Sequence, residues 1–328
     1  MKQPSYSTLV RWRLAQCWVA LMLTVALLAP LLPLPYPPDA PDLFATTTAP
    51  FVGSHYLGTD LQGRDLLANL IFGARTALLV SLPAAALATL LGSMLGSVAG
   101  LWGNDSLRAP MPAVVAGIGM AVFALLFRAT TTSTTLLAAA VAAVGLWGGT
   151  AALQRLGYRR SVTIPIDSMV LGSIALLASI PILILAIALA ALYPPSLPSL
   201  LVVLVLTYWP GPARLIRAEI LRIRALPYVE AGRALGLPAA RLLWRHALPN
   251  CWHTIRASFP ISVATLIGLE TTLSFLGVGL PPETASWGRI LASARLAPTA
   301  WWLILGPAVA IALTTLSLRQ LTALYGSK

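Results

Sequence analysis

Charged side chains are scarce in this sequence. Asp, Glu, Lys and Arg make up 10% of its 328 residues, whereas soluble domains carry about 25%. With 58% hydrophobic residues and a mean hydropathy of +0.82, that shortage argues against a soluble globular domain and predicts an all-α polytopic membrane protein. Lysine is nearly missing. Lys2 and Lys328 are the whole supply, and neither sits in a G-x-x-x-x-G-K-[ST] loop, so ATP is not bound by that route. H-E-x-x-H and G-x-S-x-G are also missing. No catalytic or metal-ligating residues are predicted, and the chain is not expected to be an enzyme. Two cysteines, Cys17 and Cys251, promise neither a disulfide nor a metal site. The three histidines, His55, His246 and His253, form no H-x-x-x-H pair.

What is abundant is apolar sequence in runs of membrane-crossing length, about 20 residues each. Eight spans are expected, near 14–34, 76–101, 111–127, 133–153, 168–193, 197–213, 254–277 and 300–324. The first follows Lys2, Arg11 and Arg13. It is read as an uncleaved anchor, because it is too long for a signal-peptide core and no small-x-small site follows. The net charge of +12 does not point to nucleic acid, because the arginines fall between apolar runs, where topology places them. With both termini in the cytoplasm, all but five of the 22 lysines and arginines lie inside. The exceptions are Arg64, Arg75, Arg128, Arg289 and Arg295. The opposite orientation reverses that ratio, so N-in and C-in is expected.

Several local features follow. Gly92, Gly96 and Gly100, with Ser93 and Ser97, form a small-residue stripe that lets helices approach closely, read as packing within the chain or as a subunit interface. Pro194, Pro195 and Pro198 mark a tight turn. Before the second span, Thr59 or Asp60 is expected to cap an interfacial helix whose apolar face is Leu61, Leu66, Leu67, Leu70 and Ile71. Glu270 lies inside an apolar run. An intramembrane carboxylate is a functional candidate by default. The alternative is a structural carboxylate hydrogen-bonded beside Thr271, Thr272 and Ser274. No second acid in the other runs offers a proton relay.

The segment "YVEAGRALGLPAARLLWRHALPN", Tyr228–Asn250, is basic and interrupted by glycine and proline, between oily runs, on the side predicted to be cytoplasmic. Tyr228 to Leu235 reads as a helix of about two turns, with Glu230 and Arg233 three apart, ended by Gly236. A second helix is expected from Pro238 to Ala247, closed by Pro249. A helix this short is unstable alone and needs a surface to dock on.

These residues resemble the EAA loop of ABC-transporter permease subunits: Glu230-Ala231-Gly232, then Gly236, then Ala247-Leu248-Pro249. Gly232 stands where a second alanine is usual, and Ala247 where isoleucine is usual; Gly232 weakens the helix by roughly 1 kcal/mol. "HYLGTDLQGRDLLANLIFGART" and "LETTLSFLGVGLPPETASWGRIL" are similar to two further stretches of the second permease subunit of dipeptide, oligopeptide and nickel importers. The resemblance covers about 1–107 and 165–328, and it favours the structural reading of Glu270. The stretch 108–164 departs from it. Two extra apolar runs stand where relatives have a short turn, and they are expected to form a peripheral transmembrane hairpin on a six-span core. The chain then divides into 1–35 (tail and first span), 36–75 (outer loop and interfacial helix), 76–107 (second span), 108–164 (hairpin), 165–213 (core spans), 214–252 (coupling loop) and 253–328 (last spans).

The resemblance implies a multi-pass permease subunit, in a bacterial inner membrane, of an ATP-driven, binding-protein-dependent importer for peptides, nickel or a metal chelate. The implied partners are a second permease subunit, one or two cytoplasmic ATPase subunits that carry the ATP and Mg, an extracytoplasmic substrate-binding protein and the bilayer, with no cofactor in this chain and no nucleic acid. It also implies an ATPase-coupling role for Tyr228, Val229, Glu230, Ala231, Gly232, Arg233, Ala234, Leu235 and Gly236, with Glu230 contacting the ATPase and Val229, Ala234 and Leu235 buried in its groove. Arg214, Arg217, Arg222 and Arg224 are expected at lipid headgroups. The rival reading is a stand-alone secondary transporter or channel.

Overall fold

The structure, a computed structural model, describes residues 6–104, 108–110, 145 and 161–323. It is almost entirely helical. The helices are α1 (Tyr6–Leu28), α2 (Leu66–Trp102), α3 (Ile166–Ala178), α4 (Ile182–Ala190), α5 (Leu197–Tyr208), α6 (Pro210–Arg224), α7 (Pro227–Ala234), α8 (Ala239–Leu242), α9 (Leu248–Asn250), α10 (Trp252–Phe275), α11 (Trp287–Ala294) and α12 (Trp302–Ala323). Among the described residues, four segments are long and apolar enough to cross a membrane: Val10–Leu31, Leu66–Trp102, Trp252–Phe275 and Trp302–Thr322. Two more arise if each bent pair is one span. Ile166–Ala178 and Ile182–Ala190 meet at 87°, and Leu197–Tyr208 and Pro210–Arg224 at 41°. Both bends have a proline at the break. Pro181 and Pro210 lack the N–H that would continue the ladder, and Pro181 is itself extended, at φ -53° and ψ 127°. These six segments correspond to six of the eight expected spans. The other two, 111–127 and 133–153, lie outside the described residues apart from residue 145.

The chain divides into two compact units, Met1–Ser97 with Gly172–Lys328, and Val98–Leu171. In the larger unit, α12 packs against α1, α10 and α11, and α10 also packs on α5 and α6. The core combines Leu200, Val203, Leu204, Leu266, Ile267, Leu273 and Leu303 with alanines of α2. Lipid is as apolar as these side chains, so close backbone contact and polar ties supply what water would drive in a soluble core. Gly92 and Gly96 illustrate this. A Cβ on Gly92 would lie 2.7 Å from the Trp209 carbonyl oxygen, and one on Gly96 would collide with the Ala213 carbonyl. The stripe therefore serves packing of α2 on α6 within the chain. Trp18 Nε1 donates to Thr314 Oγ1 at 3.2 Å, tying α1 to α12. At the turn from α4 to α5, Ser196 and Ser199 form a reciprocal capping box, where the three prolines predict a turn.

In the smaller unit, β1 (Arg108–Pro110) and β2 (Ser161–Thr163) pair antiparallel, Arg108 opposite Thr163 and Pro110 opposite Ser161. The chain thus leaves and returns side by side at the two ends of 111–160. The all-α reading did not anticipate this ribbon.

The interfacial helix near 61–71 is corrected. No separate helix precedes the second span; α2 begins at Leu66 and runs 37 residues. Nor do Thr59 and Asp60 cap it. Asp65 does, its Oδ1 accepting from the Ala68 N–H at 2.8 Å. Asp60 Oδ1 instead closes the preceding turn by accepting from the Gln62 and Arg64 N–H groups. Thr59 pins the loop, its Oγ1 accepting from the Thr48 N–H at 2.8 Å.

Candidate functional site

The segment between α6 and α10 is built from short pieces. The α7 helix starts at Pro227, where the missing N–H costs nothing, and carries acidic Glu230 in its first turn, where the helix dipole favours it. Gly236, at φ +76°, takes the left-handed turn that ends it. The second piece is not the single helix expected over Pro238–Ala247. Four α-helical residues, Ala239–Leu242, lead into a π turn, Leu243–Ala247, and then Leu248–Asn250. Pro249 does not close the segment but lies within this last piece. A regular helix would set the Pro249 ring against the Arg245 carbonyl, and the wider π turn ahead of it relieves that clash.

The two faces of α7 differ sharply. Val229 is 2% exposed and packs into the chain itself, which corrects its expected place in a partner's groove. Gly232 lies on the same inner face, three residues on. A Cβ there would stand 2.9 Å from Leu242 Cδ2, so the departure from alanine makes room for α8. Tyr228 Oη accepts from Asn250 Nδ2 at 2.7 Å. Glu230, Ala231, Ala234, Leu235 and Gly236 are exposed, Leu235 at 82%. The side chain of Arg233 lies outside the described residues. Beside α7, Arg222 makes a two-point pair with Glu219. Cys251 is fully buried at the foot of α10, and burial, with Glu219 adding, pushes its thiol up to about 11.

Glu270 sits near the other end of α10 and is 1% exposed. Its Oε1 accepts from Ser274 Oγ at 2.8 Å and Ser286 Oγ at 3.0 Å, and Oε2 from Thr271 Oγ1 at 3.4 Å. Ser286 in turn caps α11 through the Gly288 N–H. A Cβ on Gly288 would collide with the Thr271 carbonyl. The carboxylate thus fastens α11 to α10, as a structural carboxylate does. Thr272, expected as a neighbour, bonds instead to the Gly268 carbonyl.

The two other motif stretches meet here. Trp287 Nε1 donates to the Leu70 carbonyl at 3.0 Å, Trp302 Nε1 to the Thr59 carbonyl at 3.1 Å, and Arg64 Nη1 to the Pro282 carbonyl at 3.3 Å. Arg289 closes the 280–282 turn through the Leu280 and Pro281 carbonyls. Burial lowers its guanidinium pKa, and Arg64 adds to that. Burial also raises the Asp60 carboxyl above its ordinary value, against the two backbone N–H groups it accepts. His55, buried, donates from Nδ1 to Asp65 Oδ2 at 2.9 Å. Sequence reasoning missed His55, Asp65, Ser286 and Asn250. The signal for Asp65 was its place one residue before the helix; the other three depend on tertiary contacts.

Residues 164–326 match the family described as "binding-protein-dependent transport system inner membrane component". Three relatives are informative. A peptide transport system permease protein of Brucella suis biovar 1 (strain 1330) is 30% identical over 265 residues, covering 80% of this chain and 69% of the relative. A peptide permease protein of the same organism is 30% identical over 289 residues, covering 87% and 76%. The peptide ABC transporter permease protein y4tQ of Sinorhizobium fredii (strain NBRC 101917 / NGR234) is 36% identical over 169 residues, covering 50% and 56%.

Proposed function

The chain belongs to the family of binding-protein-dependent transport system inner membrane components, and on that premise we propose that it forms half of a peptide translocation path that a partner ATPase drives through α7. It is a multi-pass inner-membrane transport component, not an enzyme. Peptide as the cargo follows the descriptions of the relatives. In this reading the chain pairs with a second permease subunit, takes ligand from an extracytoplasmic binding protein, and leaves ATP and Mg to cytoplasmic ATPases. The arginine distribution puts both termini and the 225–251 segment on the cytoplasmic side.

The observation that carries the proposal is the two-faced α7. Its inner face is occupied by Val229 and Gly232, while Glu230, Ala231, Ala234 and Leu235 are exposed. An eight-residue helix held on one side and bare on the other is suited to sit in a cleft and move as one body. Glu230 supplies a charged contact and Leu235 an apolar one. β1 and β2 pair at the two ends of 111–160, and the family match begins at residue 164, just past β2.

The test is uptake and ATP hydrolysis by the assembled complex. Glu230→Arg reverses the charge on the bare face, and Gly236→Pro is incompatible with φ +76°. Both should leave ATP hydrolysis running while uptake falls at least tenfold. Wild-type uptake in both would contradict the assignment. Transport by this chain purified alone would favour a stand-alone carrier.

A further inference from the structure

We propose that the Tyr228–Asn250 hydrogen bond is the joint through which α7 drives α10, with both residues acting as positioning residues. This rests on the coupling role of α7 proposed above. Along the chain α7 joins α8 through residues 235–238, and it joins α6 through Ala225 and Leu226, whose N–H groups bond back to the Arg222 and Ile223 carbonyls. A push on α7 therefore reaches α6 covalently. Its route to α10 is different. Asn250 is 22 positions beyond Tyr228 and ends α9, and α10 begins two residues later. Cys251 between them is fully buried, its N–H donates to the Ala247 and Leu248 carbonyls, and its carbonyl accepts from Ile255. Asn250 is thus mounted on the foot of α10, and its amide reaches across to α7 at 2.7 Å.

Val229 and the Gly232–Leu242 contact hold the same inner face, but they are apolar contacts that slide. The hydrogen bond is directional and sets where α7 stands against α10. At the far end of α10, Glu270 accepts from Ser286 and so ties in α11. A displacement of α7 is carried along α10 to α11 and, through Trp287, to the start of α2. None of the recognised motif residues marks Asn250, which follows the Ala247-Leu248-Pro249 ending.

The experiment uses the purified complex with its ATPases, with Cys17 replaced by serine and spin labels at Leu192→Cys and Leu276→Cys, both exposed. The distance between labels is measured without nucleotide and after trapping with ATP and vanadate. Tyr228→Phe keeps the ring and removes only the hydroxyl. In that variant, and in Asn250→Ala, the ratio of shifted to unshifted molecules should fall about fivefold. The double variant should be no worse than either single one. Asn250→Asp, which accepts from the tyrosine hydroxyl, should restore the shift. A full shift in both single variants, or losses that add in the double variant, would overturn the joint with the coupling role intact. Failure of the unsubstituted complex to shift with nucleotide would overturn the coupling reading itself.

Discussion

Glu270 and Cys251 are both buried on or beside α10, and they call for different chemistry. Three hydroxyls converge on the Glu270 carboxylate. Glu270→Gln keeps an acceptor for Ser274 and Ser286 and should change stability by less than about 1.5 kcal/mol. Glu270→Leu leaves those hydroxyls without an acceptor and should cost about 2–4 kcal/mol. Thermal unfolding of the purified complex in detergent separates the two, and equal midpoints would show that the carboxylate fastens nothing. Cys251, with its thiol raised to about 11 by burial, stays protonated at neutral pH, and the thiolate is the reactive form. A maleimide should leave it unlabelled at pH 7–8 in the folded complex and label it after denaturation. Labelling as fast as a free thiol would mean the foot of α10 is open. Tyr228 was legible as part of the coupling motif. Its partner Asn250 was not, because a contact across 22 positions leaves no local pattern.

At the scale of elements, composition and periodicity reveal a span but not its bends or its cap. The apolar runs near 168–193 and 197–213 are continuous to a hydropathy reading, yet Pro181 and Pro210 break each one, by 87° and 41°. The start of α2 was misplaced because Thr59, Asp60 and Asp65 are all competent capping residues. Which one caps depends on what else claims its oxygens, and here the loop claims those of Thr59 and Asp60. Close approach is also invisible without coordinates. Gly288 abuts the Thr271 carbonyl and the Phe275 N–H, whereas Gly268 in the same region has nothing within 4 Å. Gly288→Ala should therefore loosen α11 from α10 and cost about 1–3 kcal/mol. Gly268→Ala should be neutral or stabilising by a few tenths of a kcal/mol. A reversed order in thermal midpoints would contradict this packing.

At the scale of the whole molecule, the sequence carried the class and the family, since scarcity of charge and three ordered motifs need no coordinates. What it could not supply is the division of α7 into an inner and an outer face, which arises when α6 and α8 pack against it. In a shortened chain where a two-residue Asn-Gly turn replaces 111–160, the ends that β1 and β2 hold together should still join. Uptake should then persist within about twofold, as for a peripheral insertion (tolerated loop changes are cheap); complete loss of assembly would give the segment a central role. The account as a whole stands on the bare face of α7. A density map of the purified complex, taken through residues 228–236, tests it most directly. It should find Glu230, Ala234 and Leu235 seated in a cleft of a nucleotide-hydrolysing subunit. Density showing those three side chains open to solvent, with no subunit against them, would contradict it.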